Sequence, residues 1–279
     1  MSGFLDEMAR SSAARVREAM AKEPLPELEH RAKAALRAPR LKLSEHGFDV
    51  IAELKLRSPA QGRLAEADED WLKRVAAYAA GGAAAVSVLT EPSRFDGSLE
   101  HLSRAVSVLE PLGIPAMRKD FLVDPYQVLE ARAAGAGGIL VIVRMLSRLR
   151  ILELLGAAAE QHMFVLLEAF DAADLAEAGE LLEARPPRRP GGDDQILLGI
   201  NCRDLQSLKV VPERFAELAP LLPRKVPGVA ESGVANAADA KRMAESGYSM
   251  ALIGTALMGR GDPAELLREI LATARTVKA

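Results

Sequence analysis

Cysteine is almost missing from this chain: Cys202 is the only one in 279 residues. An intramolecular disulfide is therefore excluded, and a reducing compartment fits. Nor is there an excess of positive charge, with 36 Lys and Arg against 39 Asp and Glu and a net charge of −3. That balance excludes the broad basic footprint of a nucleic-acid binder. No uninterrupted apolar run reaches the length of a membrane span. The opening residues Met1-Ser2-Gly3-Phe4-Leu5-Asp6-Glu7 lack the apolar core of a secretory signal. A soluble, cytoplasmic protein is expected. His30, His46, His101 and His162 are scattered without metal-ligand spacing. Neither a Walker pattern nor a dinucleotide fingerprint occurs. No metal and no cofactor are expected.

What the chain does have is apolar material, 49% of its residues, punctuated by 21 glycines. Short apolar runs recur roughly every 24 to 34 residues, each followed by an amphipathic stretch. They lie at 50–54, 84–89, 114–118, 138–143, 164–168, 197–201, 226–230 and 250–254. Most are continuous rather than alternating, as parallel strands covered on both faces are. Eight strand–helix units with nothing resembling a linker predict an α/β fold, a single (β/α)8 TIM barrel. Periodicity alone leaves an open doubly wound sheet as the other possibility. Residues 1–49 read as an N-terminal helical extension capping one end, broken by Pro24, Pro26 and Pro39, and 50–279 as the barrel catalytic domain. The Pro-, Arg- and Gly-rich island 184–195 reads as a surface loop on the non-catalytic face. Trp71, at the start of a helix, reads as a core anchor.

In barrels the chemistry sits where strands end. Here those positions carry Glu53 and Lys55, Thr90, Arg118 and Lys119, Glu168, Asn201 and Arg203, then Glu231 and Ser232. Glu53 and Lys55 are two apart in an extended segment and share a face, as do Asn201 and Arg203. Each alone has an ordinary explanation: a solvated ion pair, a surface lysine, or a loop carboxylate capping the next helix. Polar groups ending five separate apolar runs are harder to treat as accident, because burying charge is costly unless it is paired or used. Two further turns, Glu231-Ser232-Gly233 and Gly254-Thr255, follow the seventh and eighth runs, where barrels commonly hold phosphate. The side chain of Cys202 should point away from that of Asn201, and a catalytic thiol is disfavoured for want of a partner histidine.

Several segments together carry a resemblance. They are Ile51-Ala52-Glu53-Leu54-Lys55 with Ser58-Pro59, Leu89-Thr90-Glu91 with Phe95-Asp96-Gly97-Ser98, and Met117-Arg118-Lys119-Asp120-Phe121. Gly199-Ile200-Asn201-Cys202-Arg203-Asp204-Leu205, Val229-Ala230-Glu231-Ser232-Gly233 and Leu252-Ile253-Gly254-Thr255-Ala256-Leu257-Met258 complete the set. In this order and spacing they resemble the indole-3-glycerol-phosphate synthase family of tryptophan biosynthesis, over a stretch from Leu36 to Met258. The resemblance implies a lyase that closes a ring with decarboxylation and dehydration of 1-(2-carboxyphenylamino)-1-deoxyribulose 5-phosphate, without cofactor or metal. It implies Lys119 as general acid, Glu168 as base or proton shuttle, and Glu53 and Asn201 as orienting groups. Lys55 would bind the phosphate and carboxylate region. Ser232, Gly233, Gly254 and Thr255 would hold the phosphate, aided by Arg203. Phe95, Phe121, Leu140, Ile142 and Leu252 would wall an aromatic pocket, with Ser58 and Glu231 also touching substrate.

An amine acid working near neutral pH is expected to have a lowered pKa, with Lys55 as the neighbouring cation responsible. The segment from Leu56 to Leu64 is the expected lid. Three departures from the family stand out: Ala60-Gln61 where Ser-Lys is common, Phe170 where His or Asn is common, and Arg94 where an aromatic often stands. The rival readings are another phosphosugar barrel enzyme, such as phosphoribosylanthranilate isomerase, and a non-catalytic paralogue binding phosphorylated ligands. The expected partner is a small phosphorylated substrate, with no nucleic acid or membrane, for a monomer or weak dimer.

Overall fold

A computed structural model describes residues 3–45, 47–59, 62–64, 70–184, 195–205, 207–223, 225–259 and 261–277. His46, Ala60, Gln61 and 185–194 of the Pro- and Gly-rich island lie outside the described residues. Eight parallel strands close on themselves: β1 (Asp49–Leu54), β2 (Ala85–Leu89), β3 (Ala116–Lys119) and β4 (Gly138–Ile142), then β5 (Phe164–Ala169), β6 (Ile196–Asn201), β7 (Gly228–Glu231) and β8 (Met250–Ile253). Closure is made by β1 pairing with β8, Ile51 opposite Leu252, on one side and with β2 on the other. The predicted TIM barrel is the fold found.

Two strands begin later than their apolar runs. Pro115 and Pro227 have no N–H to give the ladder, so β3 and β7 start just after them. Their carbonyls still accept, from Val86 N at 3.1 Å and Leu198 N at 3.0 Å.

Strand side chains alternate between two apolar layers. Val50, Ala52, Leu54, Val86, Val88, Ile139, Val141, Val165 and Leu167 face outward under the helices. Ile51, Ala85, Met117, Leu140, Phe164, Leu166, Leu197, Val229 and Met250 face inward and fill the barrel. This is why the runs looked continuous: both parities are buried.

The extension forms α1 (Gly3–Lys22) and α2 (Leu25–Ala34). Pro26 does not break it; it lies in the first turn of α2, where its missing N–H has no helical partner to lose. Helix α2 packs on the helix Pro125–Ala133 around Leu28 and Tyr126, whose hydroxyl donates to the Glu23 carbonyl at 2.8 Å. Helix α1 crosses the carboxyl ends of the strands. Arg15 donates twice to Asp120, at 2.7 and 2.9 Å, Gln127 donates to Ser12 at 2.9 Å, and Glu7 pairs with Arg94.

The expected lid carries a short antiparallel ladder, with Arg57 opposite Arg63 and Ser58 opposite Gly62. Trp71 is half-buried rather than central: it meets His101 edge-on at 5.4 Å and lies under the Arg104 guanidinium, joining two outer helices. Among the described residues no helix is long and apolar enough to cross a membrane.

Gly138 opens the inward face of β4, and a Cβ there would stand 2.4 Å from the Phe164 ring beside it. Replacing Gly138 by Ala should therefore cost about 1–3 kcal/mol through overpacking. Urea unfolding should show a lower midpoint at unchanged slope; an unaltered midpoint would mean that the bottom of the barrel relaxes freely.

Candidate active site

Inward residues of alternate strands stack in layers of four across a barrel of this kind. Near the carboxyl ends one such layer is charged: Glu53 from β1, Lys119 from β3, Glu168 from β5 and Glu231 from β7. Above it stand Leu89, Ile142, Asn201 and Gly254, and beneath it Ser87, Leu140, Gly199 and Leu252, all from the even strands and their ends. The parity that sends Lys119 inward sends Arg118 outward. Arg118 is buried against Thr90, the Gln127 carbonyl and Glu130. Asp120, at the strand end, takes hydrogen bonds from Arg15, Arg118 and Thr90.

The Lys119 ammonium lies 3.1 Å from Glu168 and 3.5 Å from Glu231. Burial alone would lower its pKa, but Glu168, Glu231 and Glu53 more than reverse this and hold it well above the ordinary lysine value. The expectation of a lowered pKa was wrong. The cation meant to depress it, Lys55, is turned to Glu53 instead, Nζ to Oε1 at 3.0 Å. Burial opposes ionisation of Glu53 too, yet Lys55 and Lys119 pull its pKa below the usual value.

Three carboxyl groups thus surround one ammonium. Glu231 is pushed well above the ordinary carboxylate value, first by burial and then by the charge on Glu168, with which it also shares a hydrogen bond. A Cβ at Gly199 would lie 2.0 Å from Glu231 Oε1, so only glycine leaves room for this carboxyl group. Asn201 Nδ2 reaches Glu168 at 3.4 Å, and its Oδ1 accepts the Arg203 N–H at 3.0 Å.

The cleft over this layer has two lobes that share Glu53, Lys55, Lys119, Asn201, Arg203 and Ser232. The first, about 820 Å³ including its open mouth, is walled by Phe95, Phe121, Leu140 and Ile142, with Ser58 at its edge. The second gathers Glu231, Ser232, Gly233, Gly254 and Thr255. Leu252, expected on the aromatic wall, lines this second lobe instead, because its strand closes against β7. Ser232 and Gly233 both have positive φ, 63° and 101°, which turns the chain sharply at the end of β7.

Three aromatic or charged lining residues were not anticipated. Phe4 of α1 meets Phe121 edge-to-face at 5.8 Å; nothing local in the extension announces that contact. Phe170, one residue beyond β5, is buried in the first lobe with the Arg144 guanidinium 4.9 Å from its ring centroid. Its place after Glu168 was the available signal. Asp120 also borders the lobe, and its outward ties gave no hint of that in the sequence. Arg203 reaches the cleft, but its Nη1 is occupied by the Leu208 carbonyl at 2.7 Å.

A closed (β/α)8 barrel with carboxyl and ammonium groups converging in a cleft at the carboxyl ends of its strands is the architecture of a barrel enzyme. Residues 5–270 match the family model for indole-3-glycerol phosphate synthase. The chain belongs to that family of decarboxylating lyases in tryptophan biosynthesis. It is 41% identical to the indole-3-glycerol phosphate synthase of Parafrankia sp. (strain EAN1pec), over 85% of this chain and 80% of that one. It is 40% identical to that of Micrococcus luteus, over 95% and 91%, and 40% identical to that of Methanopyrus kandleri, over 88% and 91%. Among solved structures, 3-hexulose-6-phosphate synthase from Salmonella typhimurium covers 82% of this chain with 99% of its own, at a TM-score of 0.61 and 14% identity. Orotidine 5'-phosphate decarboxylase from Pyrococcus horikoshii gives a TM-score of 0.56 at 15% identity. At such identities the likeness is one of fold.

Cys202 sits outside the barrel wall, fully buried in the outer core, and its thiol donates to the Ser232 carbonyl. Burial pushes the thiol up to about 11. The folded protein should therefore resist alkylation at pH 8 and react once denatured, since the thiolate is the nucleophile. Mass-spectrometric labelling checks this, and rapid modification of the native state would contradict the buried placement.

Proposed function

We propose that the cleft converts 1-(2-carboxyphenylamino)-1-deoxyribulose 5-phosphate into indole-3-glycerol phosphate, CO2 and water, and that residues 50–279 form its catalytic domain under the roof of 1–49. The observation that carries the reading is the Lys119 ammonium between Glu168 and Glu231, at the junction of an aromatic-walled lobe and a small polar one. The first lobe suits the carboxyphenyl ring. The second suits the phosphate, which would lie on the turn Ser232-Gly233 and at Gly254-Thr255 with Lys55 and Arg203 nearby.

In that pose the ring carbon bearing the carboxylate attacks the ketone carbon, and Lys119 gives a proton to the ketone oxygen. A raised lysine pKa is no obstacle, because the developing alkoxide is a stronger base than any amine. Departure of CO2 then returns its bonding pair to the ring. Glu168 then takes a proton from the carbon between the nitrogen and the new carbinol carbon and passes it through Lys119 to the hydroxyl, which leaves as water. A proton from solvent restores Lys119 for the next turnover. Glu53 and Asn201 orient the sugar hydroxyls, and Phe95, Phe121, Leu140 and Ile142 exclude water from the ring.

The test is to add the substrate and follow indole fluorescence; well-folded protein without turnover would sink the reading. Lys119→Met should lower kcat at least about 10³-fold while substrate still binds, and a wild-type kcat in that variant would remove Lys119 from the acid role. Thr255→Asp places a negative charge in the polar lobe. KM should rise at least about tenfold through like-charge repulsion, whereas an unchanged KM would place the phosphate elsewhere.

A further inference from the structure

Phe170 stands where His or Asn is common in the family, and its surroundings hold a ring in place. Its backbone N–H donates to Asp174 Oδ2 at 2.8 Å, and the same oxygen accepts from Arg144 Nε at 2.7 Å. Arg144 also pairs with Asp171, whose other oxygen accepts the Asp174 N–H at 3.0 Å. The two carboxylates engage the guanidinium by its edge. Its flat face is left for the Phe170 ring, 4.9 Å from the centroid. Asp174 is buried in the first turn of the helix Ala172–Ala184, and Arg144 comes from the single turn Val143–Met145 that follows β4. One buried carboxylate therefore fixes both the backbone that carries the ring and the cation that covers it.

The aromatic lobe is centred on β4, which gives it Leu140 and Ile142, and the strands on either side each supply a ring. Phe121 follows β3 and is braced by Phe4 and Phe95. Phe170 follows β5, is only 2% exposed, and is braced by Arg144, which does not itself line the lobe. A flat ligand lying over β4 is thus bounded by rings on both flanks. We propose that Phe170 is a specificity-determining wall of this lobe, selecting a planar aryl group, and that Arg144 is a positioning residue acting on the ligand only through Phe170. For turnover this rests on the synthase reading of the cleft; for binding of an arene it rests on the lobe alone. Without the guanidinium the ring is free to leave its rotamer, and an aryl ligand loses one flank. The polar lobe, which neither residue lines, is untouched.

Titration with anthranilate, followed by its own fluorescence, tests the pair without any turnover. Arg144→Met and Phe170→Leu should each weaken anthranilate binding at least about threefold. In the double variant the two losses should not add, because Arg144 works through the ring. Inorganic phosphate, measured as a competing ligand of the polar lobe, should keep its affinity within about twofold in all three proteins. In kinetics the loss should fall on KM rather than on kcat. Arg144→Lys keeps a charge beside Asp174 and should lose less; it also serves where Arg144→Met does not fold, and Phe170→Leu leaves the ion pairs of Arg144 intact. Anthranilate binding that is immeasurable in the wild type, or equal in the wild type and the variants, overturns the proposal. So do additive losses in the double variant, and so does a parallel loss of phosphate affinity, the mark of a merely structural clamp. Absence of turnover beside the expected anthranilate pattern sinks the synthase reading and leaves the wall standing.

Discussion

The Lys119 ammonium lets two carboxyl groups, Glu168 and Glu231, be buried side by side, with Glu53 and its partner Lys55 beside them. Glu53, Glu168 and Glu231 are almost entirely withdrawn from water, and without Lys119 the desolvation and mutual repulsion of Glu168 and Glu231 would lose the cation that opposes them. With it, the pKa values of the carboxyl groups are driven apart: Glu53 is drawn down by Lys55 and Lys119, and Glu231 is pushed up by burial and by Glu168. The same contacts hold Lys119 protonated, in the state its proposed part as proton donor needs. Stabilising the layer and keeping Lys119 charged are one arrangement.

The barrel delivers these groups by parity. A strand buried on both faces sends every second residue inward, and eight strands closing on each other bring those residues to a common axis. At the end of β3 the consequence is visible in three consecutive residues. Arg118 goes out to bind the neighbouring helix, Lys119 goes in to the charged layer, and Asp120 turns back to hold α1 through Arg15. Burial works against the Asp120 charge, but the two guanidiniums keep its carboxyl well below the usual range. The roof of the aromatic lobe is thus tied to the residue next to Lys119, and Phe4 on that roof joins Phe95 and Phe121 in one aromatic cluster.

Much of this was legible beforehand. The eight runs mark the strands to within two or three residues, and the misplaced starts have a local cause in Pro115 and Pro227. Glu53, Lys119, Glu168 and Asn201 stood out as a set, because polar residues ending several apolar runs have no shared structural explanation even where each alone has one. The acid–base state of Lys119 was misjudged because burial and the Lys55 cation were weighed and the carboxyl groups across the barrel were not. The carboxyl groups that decide it lie 49 and 112 residues away. Leu252 was assigned to the wrong lobe for the same reason, since its neighbour β7 is a tertiary fact.

Sequence alone, then, determined the barrel, the strand-end residues and the family, because each depends on local pattern: period, breaker and motif. Only the tertiary structure decided how charge is shared in the layer of Glu53, Lys119, Glu168 and Glu231, which lobe each wall belongs to, and that α1 supplies Phe4. Electrostatic energy depends on distances through space, and the closing of β1 on β8 fixes those distances in a way no run of neighbouring residues records.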